Sequence, residues 1–182
     1  MERIPIFVYG TLVPKNGFSN FQKVLGSRVD LFPPGTDLSS KSDDAYTVAK
    51  AEFWRIYHLE GFPGCKKSSE STDVVTGALV WPSGTDEEYQ ATILEADRLE
   101  KFNGEMGHTS NEYQRVETDT KTIDGQTIKA YIYECLLDTS KAEQVKHGNW
   151  PQFMKENNLK DAAENWSDLN KQAQNNKEQD NV

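Results

Sequence analysis

The clearest helical pattern in the chain, from about Asp86 to Phe102, stands between segments that read as strands on both sides, and that arrangement restricts the fold more than any other feature. One central helix in a strand-rich chain, without regular strand and helix alternation, points to an α+β fold and away from a doubly wound parallel sheet. Thr85 precedes the helix and Glu88 follows three residues later, the spacing of a reciprocal capping box. Asn103 and Gly104 are the expected stop.

Around the helix the strand signals are short. Ile4 to Tyr9 is rich in β-formers and runs into Gly10, a strand ending in a tight turn with Pro5 at an edge or first position. Ala51 to Leu59 and Val74 to Trp81 read as two further strands of a meander, separated by a loop that holds GFPGC and a polar SSEST run. Tyr113 to Thr120 and Thr127 to Leu136 flank Asp124 and Gly125, a pair that tolerates the positive φ of a tight hairpin turn. Pro14 to Asp44 reads mostly as loop, with one helical turn near Asn20 to Leu25. The spacing therefore predicts one domain over residues 1–155, and a polar tail over 156–182, a frayed helix or disordered, that is too poor in apolar groups to pack.

Composition narrows the function classes. With 36% hydrophobic and 10% aromatic residues the chain can bury a core, while a formal net charge of −9 repels a phosphate backbone, and no basic patch interleaved with aromatics offsets it. Nucleic acid is excluded as an expected partner. MERIPIFVYGTL lacks the form of a signal peptide, and no apolar stretch reaches membrane-spanning length, so no membrane is expected. Cys65 and Cys135 lie far apart without CxxC spacing, and His58, His108 and His147 are scattered. No disulfide framework or metal site is expected, and a cytoplasmic setting with reduced thiols is the simplest.

One carboxylate breaks the helical pattern. At 100 degrees per residue, Tyr89, Ile93, Ala96 and Leu99 share a sector of roughly 120 degrees, with Glu87, Arg98 and Lys101 outside it. Glu100 projects into the same apolar sector, although Leu94 falls on the polar side. A carboxylate turned toward a core is paired, hydrogen-bonded, or set in a cavity where desolvation raises its pKa, as for a general acid or base. Periodicity alone favours a plainer account, in which Glu100 bends to water at the helix end or pairs with a base. FVYGTL is equally open: amides after the strand can converge on an anion or a polarised carbonyl, yet glycine after a strand is more often a turn requirement.

Together, FVYGTL, GFPG at 61–64, VVTGALVW at 74–81, ADRLEKF at 96–102, EYQR at 112–115 and KAYIYEC at 129–135 resemble, in order and spacing, the γ-glutamylcyclotransferase-like (AIG2-like) superfamily, over about residues 4–155. The resemblance implies a small mixed or antiparallel β-barrel-like sheet with flanking helices. It implies that Tyr9, Gly10, Thr11 and Leu12 form a loop that binds the glutamyl moiety, that Glu100 is the catalytic glutamate, and that Tyr113 and Arg115 belong to a substrate-binding YxR strand. Asp97 matches the aspartate one turn before that glutamate. Ala96 replaces the usual leucine, Lys101 replaces a small residue, and the 103–112 loop is longer than in many relatives. That loop either reshapes substrate choice through Asn103, Glu105 and His108, or is a plain solvent loop hinged at Gly104 and Gly107.

The implied reaction cyclises a γ-glutamyl amine or amide to 5-oxoproline and releases the amine, with one glutamate as base and then acid and no cofactor or metal. The expected partner is a small-molecule γ-glutamyl substrate, the protein being a monomer or weak homodimer. Two other readings stay open: a same-fold tailoring enzyme acting on a non-glutamyl substrate, and a noncatalytic module that binds a small metabolite. For Tyr113 and Arg115, substrate contact stands against an ordinary cross-strand contact and a surface salt bridge. Tyr9 is either a site residue or core packing with its hydroxyl bonded to backbone.

Overall fold

The computed structural model describes residues 3–14, 29–42 and 45–159. The expected helical turn near Asn20 to Leu25 and the tail beyond 159 lie outside the described residues. Five strands close into a mixed barrel. β1 (Ile6–Val8) lies between β6 (Val74–Pro82) and β8 (Thr127–Cys135), and the ring is completed by β7 (Tyr113–Thr122) and β3 (Thr47–Glu52). β1 runs antiparallel to β6, with Phe7 opposite Leu79, and parallel to β8 at Ile6 and Tyr131. The short β2 (Val29–Asp30) adds to the end of β6. A separate sheet holds β4 (Trp54–Leu59), β5 (Phe62–Lys67) and β9 (Glu143–Gln144).

Strand alternation divides the core in two. Phe7, Ala49, Ala51, Val75, Leu79, Ala130 and Ile132 pack in one cluster with Trp54, Trp150 and Phe153. Ile6, Val8, Ala78 and Val80 turn the other way, where α1 (Asp86–Leu99) covers them with Tyr89, Ile93 and Ala96. The expected capping box is present at Thr85 and Glu88. The Tyr89 hydroxyl donates to the Ile4 carbonyl at 3.1 Å and ties the start of α1 to the chain entering β1. No helix among the described residues is long and apolar enough to cross a membrane.

Three local expectations are corrected. The predicted strand from Ala51 to Leu59 is broken at Phe53, whose φ of 65° no continuous strand accepts. The Asp73 carbonyl receives the Phe53 and Trp54 amides at this corner, so the chain leaves the barrel and starts the second sheet. GFPGC is not a loop but most of β5. Glu60 and Gly61 both have positive φ, the geometry of a two-residue hairpin turn, and Pro63 is tolerated because β5 is an edge strand. The helix α2 (Trp150–Glu156), opened by Asn149, was not read from the sequence; its Trp150, Phe153 and Met154 complete the first core cluster.

The hairpin of β7 and β8 forms as expected, but Gly125 alone takes positive φ, and Thr122 N–H donates to Gln126 C=O across a four-residue loop, 123–126. The wider loop, rather than a two-residue Asp124 and Gly125 turn, sets the register.

Candidate active site

The stop of α1 decides where Glu100 points. The helix ends at Leu99, earlier than Asn103 and Gly104 imply, and Glu100 is its C-cap. Lys101 takes the left-handed conformation with φ of 52°. Its amide donates to Arg98 C=O at 3.1 Å and the Phe102 amide donates to Asp97 C=O at 2.8 Å, the paired bonds of a Schellman turn that glycine usually closes. Phe102 is buried, which pins the turn against the protein.

Glu100 thereby lines a cavity of about 310 Å³ at the exit of β1. Tyr9, Gly10, Thr11 and Leu12 line it together with Phe62, Pro63, Tyr113 and Tyr133. Ile6, Val8, Leu12 and Leu99 make much of the lining apolar. Burial pushes the Glu100 carboxyl up to about 7. Its place at the negative end of the α1 dipole acts in the same direction. The nearby cations already have carboxylate partners: Lys101 pairs with Glu112, and Arg115 with Asp97.

Gly10 is required by close approach. A β-carbon there would lie 2.5 Å from Pro63 Cγ, so β5 is seated directly on the turn that follows β1. The turn closes with the Val13 amide donating to Gly10 C=O at 3.1 Å. From the far side the Tyr113 hydroxyl donates to Pro63 C=O at 2.9 Å, which holds Pro63 in place. The Tyr9 hydroxyl donates to Tyr133 C=O at 2.8 Å, the backbone-satisfied alternative for that ring. Burial raises the hydroxyls of Tyr9, Tyr113 and Tyr133 above the usual tyrosine range, so all three remain donors at neutral pH.

Arg115 is not among the residues that line the cavity. Its Nη1 donates to both Asp97 oxygens at 3.0 and 2.9 Å, its guanidinium stacks 4.8 Å from the Tyr131 ring centroid, and the Tyr133 hydroxyl also donates to Asp97 at 2.8 Å. Burial lifts the Asp97 pKa, against the lowering effects of Tyr133 and Arg115. The structure thus gathers Tyr9, Gly10, Thr11, Leu12, Glu100 and Tyr113 around one space and places Arg115 behind it.

Sequence reasoning assigned no role to Pro63, Tyr133 or Glu112. Pro63 and Tyr133 lay within the quoted GFPG and KAYIYEC segments, but nothing local indicates that those two strands meet at Gly10. The 103–112 loop is closed at its base by Glu112 N–H to Lys101 C=O at 3.3 Å. Within it, buried Asn111 accepts from the Asn103 amide at 3.0 Å and donates to Glu105 C=O at 2.9 Å. Gly104 and Gly107 supply its positive-φ positions.

The fold is a small α+β barrel, with the Glu100 carboxyl and the glycine turn after β1 lining one cavity. Residues 6–152 match the family described as gamma-glutamyl cyclotransferase, AIG2-like, and the chain belongs to it. No curated protein matches. Among solved structures, YkqA from Bacillus subtilis aligns with a TM-score of 0.52 at 15% identity, over 84% of this chain and 41% of that one. This chain thus spans about two fifths of that protein's length, and the likeness is one of fold. A protein solved as gamma-glutamyl cyclotransferase aligns with a TM-score of 0.47 at 17% identity, over 79% of this chain and 70% of that one. The uncharacterized human protein loc79017 gives 0.49 at 15% identity, over 79% and 70%.

Proposed function

We propose that the chain cyclises a γ-glutamyl amine or amide to 5-oxoproline and releases the amine. In water the α-ammonium is not a nucleophile and the γ-amide is a poor electrophile, so the site must supply a base, an oxyanion site and an acid. Glu100 fits the first and third roles. As a carboxylate it takes one proton from the α-ammonium, and the freed amine then attacks the γ-carbonyl to form the five-membered ring. The protonated Glu100 gives that proton to the departing nitrogen as the γ-carbon to nitrogen bond breaks; the regenerated carboxylate then takes the second proton from the ring nitrogen and passes it to the released amine, which leaves as its ammonium ion. Amides of the Gly10 to Leu12 turn hold the carbonyl oxygen or the α-carboxylate, and a cavity with much apolar wall strengthens both contacts.

The observation that carries this reading is the position of Glu100: a carboxyl with a pKa near 7 in the same cavity as the YGTL turn. A base poised near neutrality both accepts and returns a proton at working pH. Buried, free Cys65 and Cys135 are compatible with a reduced cytoplasmic setting. The test incubates the purified protein with a panel of γ-glutamyl amines and measures 5-oxoproline. Activity should fall about 10²- to 10⁴-fold in Glu100→Gln; equal release by the variant removes Glu100 from the mechanism.

A further inference from the structure

We propose that Lys101 is a specificity-determining residue, whose ammonium at the cavity mouth selects substrates with a carboxylate on the amine half. The inference rests on the γ-glutamyl reading above and names the kind of amine that leaves.

Glu100 must reach the departing nitrogen, so whatever that nitrogen carries projects from Glu100 toward the opening. Lys101, next in sequence, and Glu112, which the closed base of the 103–112 loop brings alongside, line the same cavity as Glu100. Both line the cavity, with 63% and 35% of their side chains exposed, so Lys101 stands outermost. Among the described residues that line this space, Lys101 is the one cation, against the carboxylates of Glu100 and Glu112. Arg115 is held by Asp97 and cannot serve in its place.

The backbone supports the same conclusion. Lys101 occupies the left-handed position of the Schellman turn, where glycine is the usual residue and any other side chain is disfavoured. Here a lysine takes that position directly after Glu100, and its side chain lines the cavity. Its ammonium has three donors and Glu112 engages one, so Glu112 fixes the head group at the rim while donors remain for a carboxylate.

The test compares kcat/KM for γ-glutamyl-alanine and γ-glutamyl-ethylamide, which differ by one carboxylate, in wild type and in Lys101→Gly, Lys101→Arg and Lys101→Gly/Glu112→Gln. Glycine suits the left-handed position, so the fold should survive, as circular dichroism and Tm will check. The alanine-to-ethylamide ratio should fall about tenfold in Lys101→Gly, stay close to wild type in Lys101→Arg, and fall equally in the double variant. An unchanged ratio in Lys101→Gly overturns the inference. So does recovery in the double variant, because the loss then came from Glu112 stripped of its partner. A wild type that cyclises neither compound overturns the γ-glutamyl reading and this inference together, whereas cyclisation of both with no dependence on Lys101 overturns the inference alone.

Discussion

Asp97 and Arg115 clasp the last turn of α1 to β7, with both carboxylate oxygens of Asp97 held by one guanidinium nitrogen at 3.0 and 2.9 Å. Glu100 follows three residues after Asp97, so the clasp fixes the helix segment from which Glu100 enters the cavity. Arg115→Ala leaves a buried carboxylate with Tyr133 as its remaining side-chain donor, and stability should drop by about 3 kcal/mol. Urea unfolding measures this. If Arg115 instead held substrate, KM would rise with little change in stability.

Glu100 should set an acid limb in kcat/KM near pH 7, because activity needs its carboxylate form. Its folded pKa lies above the unfolded value, so the native state binds the proton more tightly. Stability therefore falls as pH rises from the ordinary carboxylate range through about 7, and it stays lower above that. Glu100→Gln should have a higher Tm than wild type at pH 8 and a similar Tm at pH 4. Equal differences at both pH values would refute a raised carboxyl at Glu100.

Gly10→Ala forces a methyl group to 2.5 Å from Pro63 Cγ, and the turn or β5 must give way. A shift of this size at a positioning loop should lower kcat/KM by roughly 10- to 100-fold. The double variant Gly10→Ala/Pro63→Ala restores space and should recover part of the loss. No recovery would mean that the turn fails for a reason other than Pro63.

Tyr113→Phe removes the donor to Pro63 C=O and should cost about 1 to 2 kcal/mol, visible as a lower Tm. Since that hydroxyl is spent on backbone, kcat should change by less than about tenfold. A much larger fall in kcat would give the hydroxyl a direct part in the chemistry.

Some of this was legible in the residues and some was not. The capping box at Thr85 and Glu88 and the hairpin of β7 and β8 are local signals, and local hydrogen bonds honour them. The apolar sector holding Tyr89, Ile93 and Ala96 does face the core, and the odd carboxylate in that sector does face a cavity. The helix stop was misread because Gly104 is the stronger signal, while tertiary packing of Phe102 places the turn at Lys101. GFPGC looked like a loop because an edge strand tolerates a proline that a central strand rejects. For the YxR arginine the residues left substrate contact and a salt bridge both open, and its partner Asp97 lies eighteen residues earlier, on another element.

The base of the 103–112 loop is fastened where Glu112 N–H meets Lys101 C=O, and Asn111 ties the interior of the excursion to itself. Phe102 belongs to the turn that ends α1, whereas the hydrogen bonds of Asn103, Glu105, His108 and Asn111 join the excursion to itself. Residues can be added to or taken from that excursion while Glu100 stays in register with the barrel. The length of the excursion and the placement of Glu100 are therefore set by different contacts, with the Lys101 and Glu112 fastening as the joint between them.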